Sequence, residues 1–293
     1  MPIVGFIVGY YRTGTTIFAR VLKNFLKQCL VLMEPTQHEI VLHIINEGCK
    51  KVHSLHGFAI FEDYCKLPFG KLLEFFNLHH SIFSRNPDLH AVITSFDKVK
   101  PLLDLLNSIK NPIVIKSNQI WLFLKKLIDH YNCWVVILDR EIEHIVADHL
   151  DYDSAVNRKK IESICLRGSP PFSFYCDLIF DNLTKLFKVD ISQFNTPISR
   201  LLFNLLVFKK SIEIHSKLSN RITVVNFDKF ILNPYRYLNK LPFSFDTSVE
   251  DFLDARKINP VNDYLRDLIS LTLRKLKIDF KNIESKIKQL NNI

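Results

Sequence analysis

Glycine is scarce in this chain, with 7 in 293 residues, which argues against long flexible stretches. No apolar run approaches the roughly 18 residues a membrane-crossing helix needs, so no span is expected. Six cysteines stand at 29, 49, 65, 133, 165 and 176, with no C-x-x-C pair and no Cys/His zinc spacing. Several have apolar neighbours, so the expectation is reduced, buried thiols in a cytoplasmic protein, with no metal site. An apolar run starting at residue 3 leaves no room for a signal peptide, which again points to a soluble, intracellular chain. Internal repeats, low-complexity tracts and known nucleic-acid motifs are also missing. The net charge of +9 and pI near 9.2 therefore suit an anionic ligand better than nucleic acid, because the basic residues are scattered.

Hydrophobic residues make up 47% of the chain, enough for a sizeable core in one large domain. The most informative stretch comes first. Ile3 to Val8 is a short apolar run rich in β-branched residues, and Gly9-Tyr10-Tyr11-Arg12-Thr13-Gly14-Thr15-Thr16 follows at once. Apolar residues at Ile17, Val21 and Phe25, with Phe18, Leu22 and Leu26, then recur at helical spacing. This is a buried strand, a glycine-bounded loop and an amphipathic helix. The spacing G-x-x-x-x-G-x-T fits a phosphate-binding loop, except that Thr15 stands where nucleotidase loops carry lysine. Unpaired amides at a helix start, aided by the helix dipole, favour an anion, and Arg12 adds a positive charge within the loop. The same arrangement also serves as an ordinary strand-to-helix turn.

Further strands are expected at Leu30–Met33, Ile113–Ile115, Trp134–Leu138 and Arg221–Asn226. Helices are expected through Ile40–Ile45, Lys71–Asn77, Val99–Ile109, a stripe from Ile120 to Ile128, Ile142–His149, and from Thr196-Pro197 through 201–208. Asn86-Pro87-Asp88 reads as a turn and Ser169-Pro170-Pro171 as a break. A short helix fits Phe227 to Pro234, and two helices, the last lysine-rich, fit the tail from 260 to 293. Alternating strands and helices predict an α/β, three-layer, P-loop-type fold with a central, mostly parallel sheet. The reading is of one domain over 1–293, with helical insertions at about 50–110 and 151–220, the second less regular. Ligands in such sheets bind at the carboxyl ends of strands, where Arg12, Glu34, Lys116 and Arg140 fall.

These residues resemble a known family, the sulfotransferases that use 3′-phosphoadenosine 5′-phosphosulfate (PAPS), in the style of the tyrosylprotein and carbohydrate branches. Arg12-Thr13-Gly14-Thr15-Thr16 is similar to that family's 5′-phosphosulfate loop. Glu34-Pro35 ends the second strand, Lys116-Ser117 resembles the lysine segment ending the third, and Trp134 to Leu150 resembles the 3′-phosphate segment with Arg140 at its arginine position. Phe227 to Pro234 is a looser match to the family's Y-E-D-L-x-x-[DN]-P pattern. The likeness spans about residues 3–150 and 221–235, and leaves 50–110 and 155–215 unmatched.

The resemblance implies PAPS as co-substrate, without a metal, and an acceptor hydroxyl or amine on a small molecule, carbohydrate or protein. Arg12, Thr13, Gly14, Thr15 and Thr16 would hold the 5′-phosphosulfate, and Arg140 the 3′-phosphate. Lys116 would stabilise charge on the leaving group, and Glu34 would take the acceptor proton, with His38 as the other candidate base. Asp148 stands at the 3′-phosphate position where the family pattern has serine; a carboxylate there repels a phosphate unless it faces away or holds a cation. Ser154, Arg158 or Arg256-Lys257 could supply compensating groups. Two other readings remain open: a P-loop kinase or NTPase, with Asp139 ending a Walker B-like strand, and a non-catalytic nucleotide-binding protein on the same frame.

Overall fold

The computed structural model describes residues 2–37, 40–49, 59–86, 89, 91–157, 172–241 and 261–293. Five parallel strands form its sheet: β1 (Ile3–Gly9), β2 (Leu30–Met33), β3 (Ile113–Ser117), β4 (Trp134–Asp139) and β5 (Ile222–Asn226). Their order is β2-β3-β1-β4-β5, so β1 lies at the centre and the chain crosses it between β3 and β4. All five carboxyl ends face one edge, and the crossing makes that edge a switch point.

Helices cover both faces, which is why the inner strands read as continuous apolar runs rather than alternating ones. Phe6, Val8 and Tyr10 point into one core, and Ile7 into the other. Ile3 shares the side of Phe6 despite its odd spacing, because the β1–β3 register shifts between Ile3 and Gly5. A side chain at Gly5 would overlap the Trp134 ring, so close packing of β1 against β4 requires glycine there.

The thinner layer contains α1 (Thr15–Phe25), α9 (Phe227–Leu232) and α10 (Pro234–Leu238). Phe18 packs against Phe230 with centroids 5.0 Å apart, in a core shared with Val21, Leu22, Val31 and Val136. The thicker layer receives α2 (Ile40–Glu47), α3 (Phe69–Phe83), α4 (Phe96–Asn107), α5 (Leu124–Tyr131), α6 (Ile142–Asn157), α7 (Phe172–Phe187), α8 (Pro197–Ser216), α11 (Asp263–Lys275) and α12 (Phe280–Leu290). Burying each of its large side chains, such as Phe75, Trp121 or Phe203, contributes roughly 1.5–3 kcal/mol.

The five strands fall where the apolar runs placed them, and α8 starts as its cap signals. Thr196 Oγ1 accepts the Ser199 amide at 3.2 Å, Ser199 Oγ accepts the Thr196 amide, and Pro197 takes the first helical position.

Some expectations need correction. Ile120 belongs to a buried loop and α5 starts at Leu124, because Asn118 to Phe123 pack inward without helical geometry. Helix α6 runs to Asn157, well past His149, and among the described residues of 151–220 the helices α7 and α8 are long and regular. Cysteine usage also differs from the all-reduced expectation, since a disulfide joins Cys49 to Cys65. It ties the end of α2 to the 3-10 turn Glu62–Lys66, whose Asp63 accepts the β2 amide of Val31 at 2.8 Å. Nothing in the local sequence brings those two thiols together. Cys29, Cys133 and Cys176 lie outside the disulfide, and burial pushes the Cys133 thiol up to about 12. No helix among the described residues is long and apolar enough to cross a membrane. The turn at Asn86-Pro87-Asp88 and the break at Ser169-Pro170-Pro171 lie partly or wholly outside the described residues.

Candidate active site

The loop after β1 is built by two left-handed residues, Arg12 at φ 68° and Gly14 at φ 83°. Arg12 pays a steric cost that glycine would not, the kind of local strain that clusters at ligand sites. Its turn is closed by Thr13, whose amide and hydroxyl both donate to the Tyr10 carbonyl, at 3.2 and 2.7 Å. A Cβ on Gly14 would overlap the Phe227 ring, so α9 packs directly against the loop. Gly14 caps α1 without a side-chain hydrogen bond, and the first helical bond is Phe18 N–H to the Gly14 carbonyl at 3.0 Å. The amides of Thr15, Thr16 and Ile17 are thus those a helix start leaves for a ligand.

On one side of the loop lie Glu34 and Lys116. Glu34 follows β2 in the left-handed region at φ 54°, held by its amide donating to the Lys116 carbonyl at 2.7 Å. Lys116 Nζ donates to Glu34 Oε1, and the Asn118 amide donates to Oε2 at 3.1 Å. The pair is almost closed to solvent, with Lys116 2% and Glu34 9% exposed. Asn118 also joins this pair to the loop: its Oδ1 accepts the Thr15 hydroxyl at 2.8 Å. Thr15, at the position of the nucleotidase lysine, is therefore buried and turned toward β3. Thr36 and Ser117 hydroxyls meet beside it at 2.9 Å.

On the other side, Arg140 leaves β4 with 4% of its surface exposed. Its Nε donates to Asp228 Oδ1 at 2.7 Å, and its Nη1 donates to Asp148 Oδ2 and, at 3.2 Å, to the Arg12 carbonyl. Its guanidinium lies 5.9 Å from the Phe227 ring centroid. Asp228 also meets His144 Nδ1 at 2.7 Å through Oδ2. Asp139, the Walker B-like aspartate, is matched instead by Lys209, whose Nζ donates to Asp139 Oδ1 at 2.6 Å and to the Arg140 carbonyl at 2.7 Å.

Beneath the loop, on α6, His149 is 3% exposed. Burial, reinforced by the Arg12 guanidinium, pushes its pKa down to about 3, so it packs as a neutral ring. Its Nδ1 lies 3.8 Å from Cys176 Sγ, and Asn204 Nδ2 donates to the Cys176 carbonyl at 2.8 Å. Tyr10 fills the same floor, its phenol pushed well up by burial.

The residues singled out from sequence thus gather at one sheet edge. Arg12, Thr13, Gly14, Thr15 and Thr16 form the loop, Glu34 and Lys116 flank it as an ion pair, and Arg140 and Asp148 flank it opposite as a second one. Asp148 does hold a cation, and that cation is Arg140 itself. His38, the side chain of Ser154, Arg158 and Arg256-Lys257 lie outside the described residues. Sequence reading assigned no role to Asn118, Asp228, His144 or His149. Asn118 follows the Lys116-Ser117 strand end, Asp228 falls in the matched 227–234 segment, and His144 and His149 fall in the matched 134–150 segment, so position signalled all four, though residue type assigned none of them a role.

Comparison with known proteins adds little beyond this geometry. No family model matches the chain. An uncharacterized protein of Archaeoglobus fulgidus is 30% identical over 149 residues, covering 49% of this chain and 44% of that protein. The chain is thus similar to that relative over less than half of the relative's length.

Proposed function

We propose that the chain is a PAPS-dependent sulfotransferase. The observation that carries this reading is the pairing of a phosphate-type loop, whose nucleotidase lysine is replaced by a buried Thr15, with Lys116 at the end of the strand next to β1. Such a site offers amides and Arg12 to a phosphosulfate, and a lysine to the charge that develops as the bridging S–O bond breaks. Sulfuryl transfer asks mainly for positioning and charge stabilisation, as phosphoryl transfer does.

In this reading Arg12 and the amides of Gly14, Thr15 and Thr16 hold the 5′-phosphosulfate, and Arg140 faces the 3′-phosphate. A new S–O or S–N bond forms to the acceptor oxygen or nitrogen as the bridging S–O bond to the 5′-phosphate breaks, and the acceptor's proton goes to Glu34. Because Glu34 is ion-paired with Lys116, it takes a proton only when the lysine shifts toward the leaving phosphate, which couples the two roles. A second reading, a nucleotide-binding protein without turnover, is favoured by one observation: Arg140 already meets two carboxylates, Asp148 and Asp228.

A thermal-shift comparison of adenosine 3′,5′-bisphosphate, AMP and Mg-ATP separates these readings. A ligand at about 100 times its Kd stabilises by about 2.7 kcal/mol. Stabilisation by the bisphosphate, followed by transfer from PAPS that Lys116→Ala lowers about 10²-fold or more, supports the sulfotransferase. Bisphosphate binding without transfer to any acceptor class supports the second reading. Stabilisation by Mg-ATP alone overturns the sulfotransferase reading and moves the chain to the kinase class.

A further inference from the structure

The loop after β1 lacks the lysine that nucleotidase loops aim at their phosphates, and the Thr15 in its place carries no charge. Nor does Thr15 offer its side chain as a donor. It is 3% exposed, and its hydroxyl gives its one proton to Asn118 Oδ1 at 2.8 Å. At this position the loop therefore keeps only a backbone amide for an anion, and its side-chain donor is committed to the end of β3.

Asn118 follows the last residue of β3 and is 7% exposed. Its backbone amide donates to Glu34 Oε2 at 3.1 Å and its side-chain oxygen accepts from Thr15, so the residue is held at both ends. A carboxamide that accepts through oxygen presents two N–H donors on the nitrogen beside it. Among the described residues nothing accepts from Asn118 Nδ2, and that atom is not sealed from solvent. The donors therefore sit next to Thr15 at the head of α1, oriented by one hydrogen bond and matched by no other. Polar groups this buried are ordinarily hydrogen-bonded, so the acceptor comes from outside the chain. The carboxylate beside it, Glu34, is ion-paired with Lys116. The backbone amides at the same helix start also ask for an acceptor, and a group that accepts from all of them at once is an oxyanion.

We propose that Asn118 is a ligand of the 5′-phosphosulfate, with Nδ2 donating to an oxyanion oxygen at the head of α1, and that Thr15 sets the orientation of the amide. A neutral donor borrowed from the end of β3 thus stands where the loop has lost its lysine. This rests on the sulfotransferase reading, which identifies the oxyanion as the 5′ end of the donor nucleotide. Thr15 acts through Asn118 and is in that respect a positioning residue.

Titration calorimetry with adenosine 3′,5′-bisphosphate, AMP and adenosine 3′-monophosphate tests this, since the last lacks the 5′-phosphate. Asn118→Asp keeps the size of the side chain and an acceptor for Thr15, but has no N–H to give and adds a negative charge. It should weaken the bisphosphate and AMP about 10²-fold, and change adenosine 3′-monophosphate less than twofold. Thr15→Val removes the hydroxyl that orients the amide and should weaken the same two ligands about threefold, a loss that Thr15→Ser should largely recover. Adding Thr15→Val to Asn118→Asp should cost nothing further, because the two residues act as one unit. Bisphosphate affinity unchanged in Asn118→Asp, equal weakening of all three ligands, or effects that add in the double variant overturn the assignment of Asn118 but leave the sulfotransferase reading intact. If Asn118→Asp does not fold, undiminished binding in Thr15→Val overturns it instead. A wild-type chain that binds neither the bisphosphate nor AMP overturns both.

Discussion

On the β2–β3 side of the Gly9–Thr16 loop one lysine meets one glutamate; on the β4–β5 side one arginine meets two aspartates. The first pair is charge-balanced and shut away, with side chains 3% and 12% exposed, and Glu34 also accepts the Asn118 amide. The second sets one guanidinium between two carboxylates, one of which also meets a quarter-exposed histidine. The difference separates two tasks. In the proposed reaction, a balanced, buried pair keeps a base and a cation in register until a substrate separates them. In the same reading, a partly open cluster around a guanidinium is where a charged ligand would arrive from solvent. Transfer chemistry needs the first kind of site, and recognition of a charged ligand needs the second.

The largest way to break this contrast is on the balanced side. Lys116→Met leaves Glu34 buried without its cation and should cost about 3–5 kcal/mol in denaturant unfolding. Adding Glu34→Gln should restore most of that loss. A double variant as unstable as the single one would mean that lysine packing, not the ion pair, holds this side together.

Next comes the floor that both sides share. His149 stays neutral in the fold down to about pH 3, whereas an unfolded histidine takes a proton below its ordinary value near 6.5. Between those values the unfolded chain binds more protons, so stability falls as pH falls, by up to about 1.4 kcal/mol per unit for one such group. Urea unfolding between about pH 6 and 4 should show that slope reduced by one proton's worth in His149→Gln. Identical slopes would mean that His149 is accessible to protons in the folded state.

The smallest effect sharpens the unbalanced side. Asp148→Asn keeps a hydrogen-bond acceptor for Arg140 but removes one negative charge. Bisphosphate affinity should rise about tenfold, with stability changed by about 1 kcal/mol or less, since Asp228 still holds the guanidinium. Unchanged affinity would show that the Asp148 charge does not reach the ligand.

Much of the frame was legible because it depends on neighbours. Each strand is a short apolar run covered on both faces, so its position follows from hydrophobicity alone. Thr196-Pro197 announces α8 because capping is chemistry within four residues. Ile120 misleads for the opposite reason: it is apolar at helical spacing, yet it lies in a loop that buries Trp121 and Phe123 as thoroughly as a helix would. The Cys49–Cys65 link was hidden because it depends on how the 3-10 turn packs against β2.

The same division runs through the site. The loop's glycines, Arg12 and its missing lysine are local features, and the strand ends carrying Glu34, Lys116 and Arg140 follow from the α/β pattern. Sequence alone determined which residues reach the carboxyl edge of the sheet. The tertiary structure decided their partners: Glu34 with Lys116 across 82 residues, Arg140 with Asp228 across 88, and His144 with Asp228 across 84. Such pairings depend on strand order and on the seating of α9 against the loop, and a side chain's charge balance is set by whatever the fold places within a few ångströms of it.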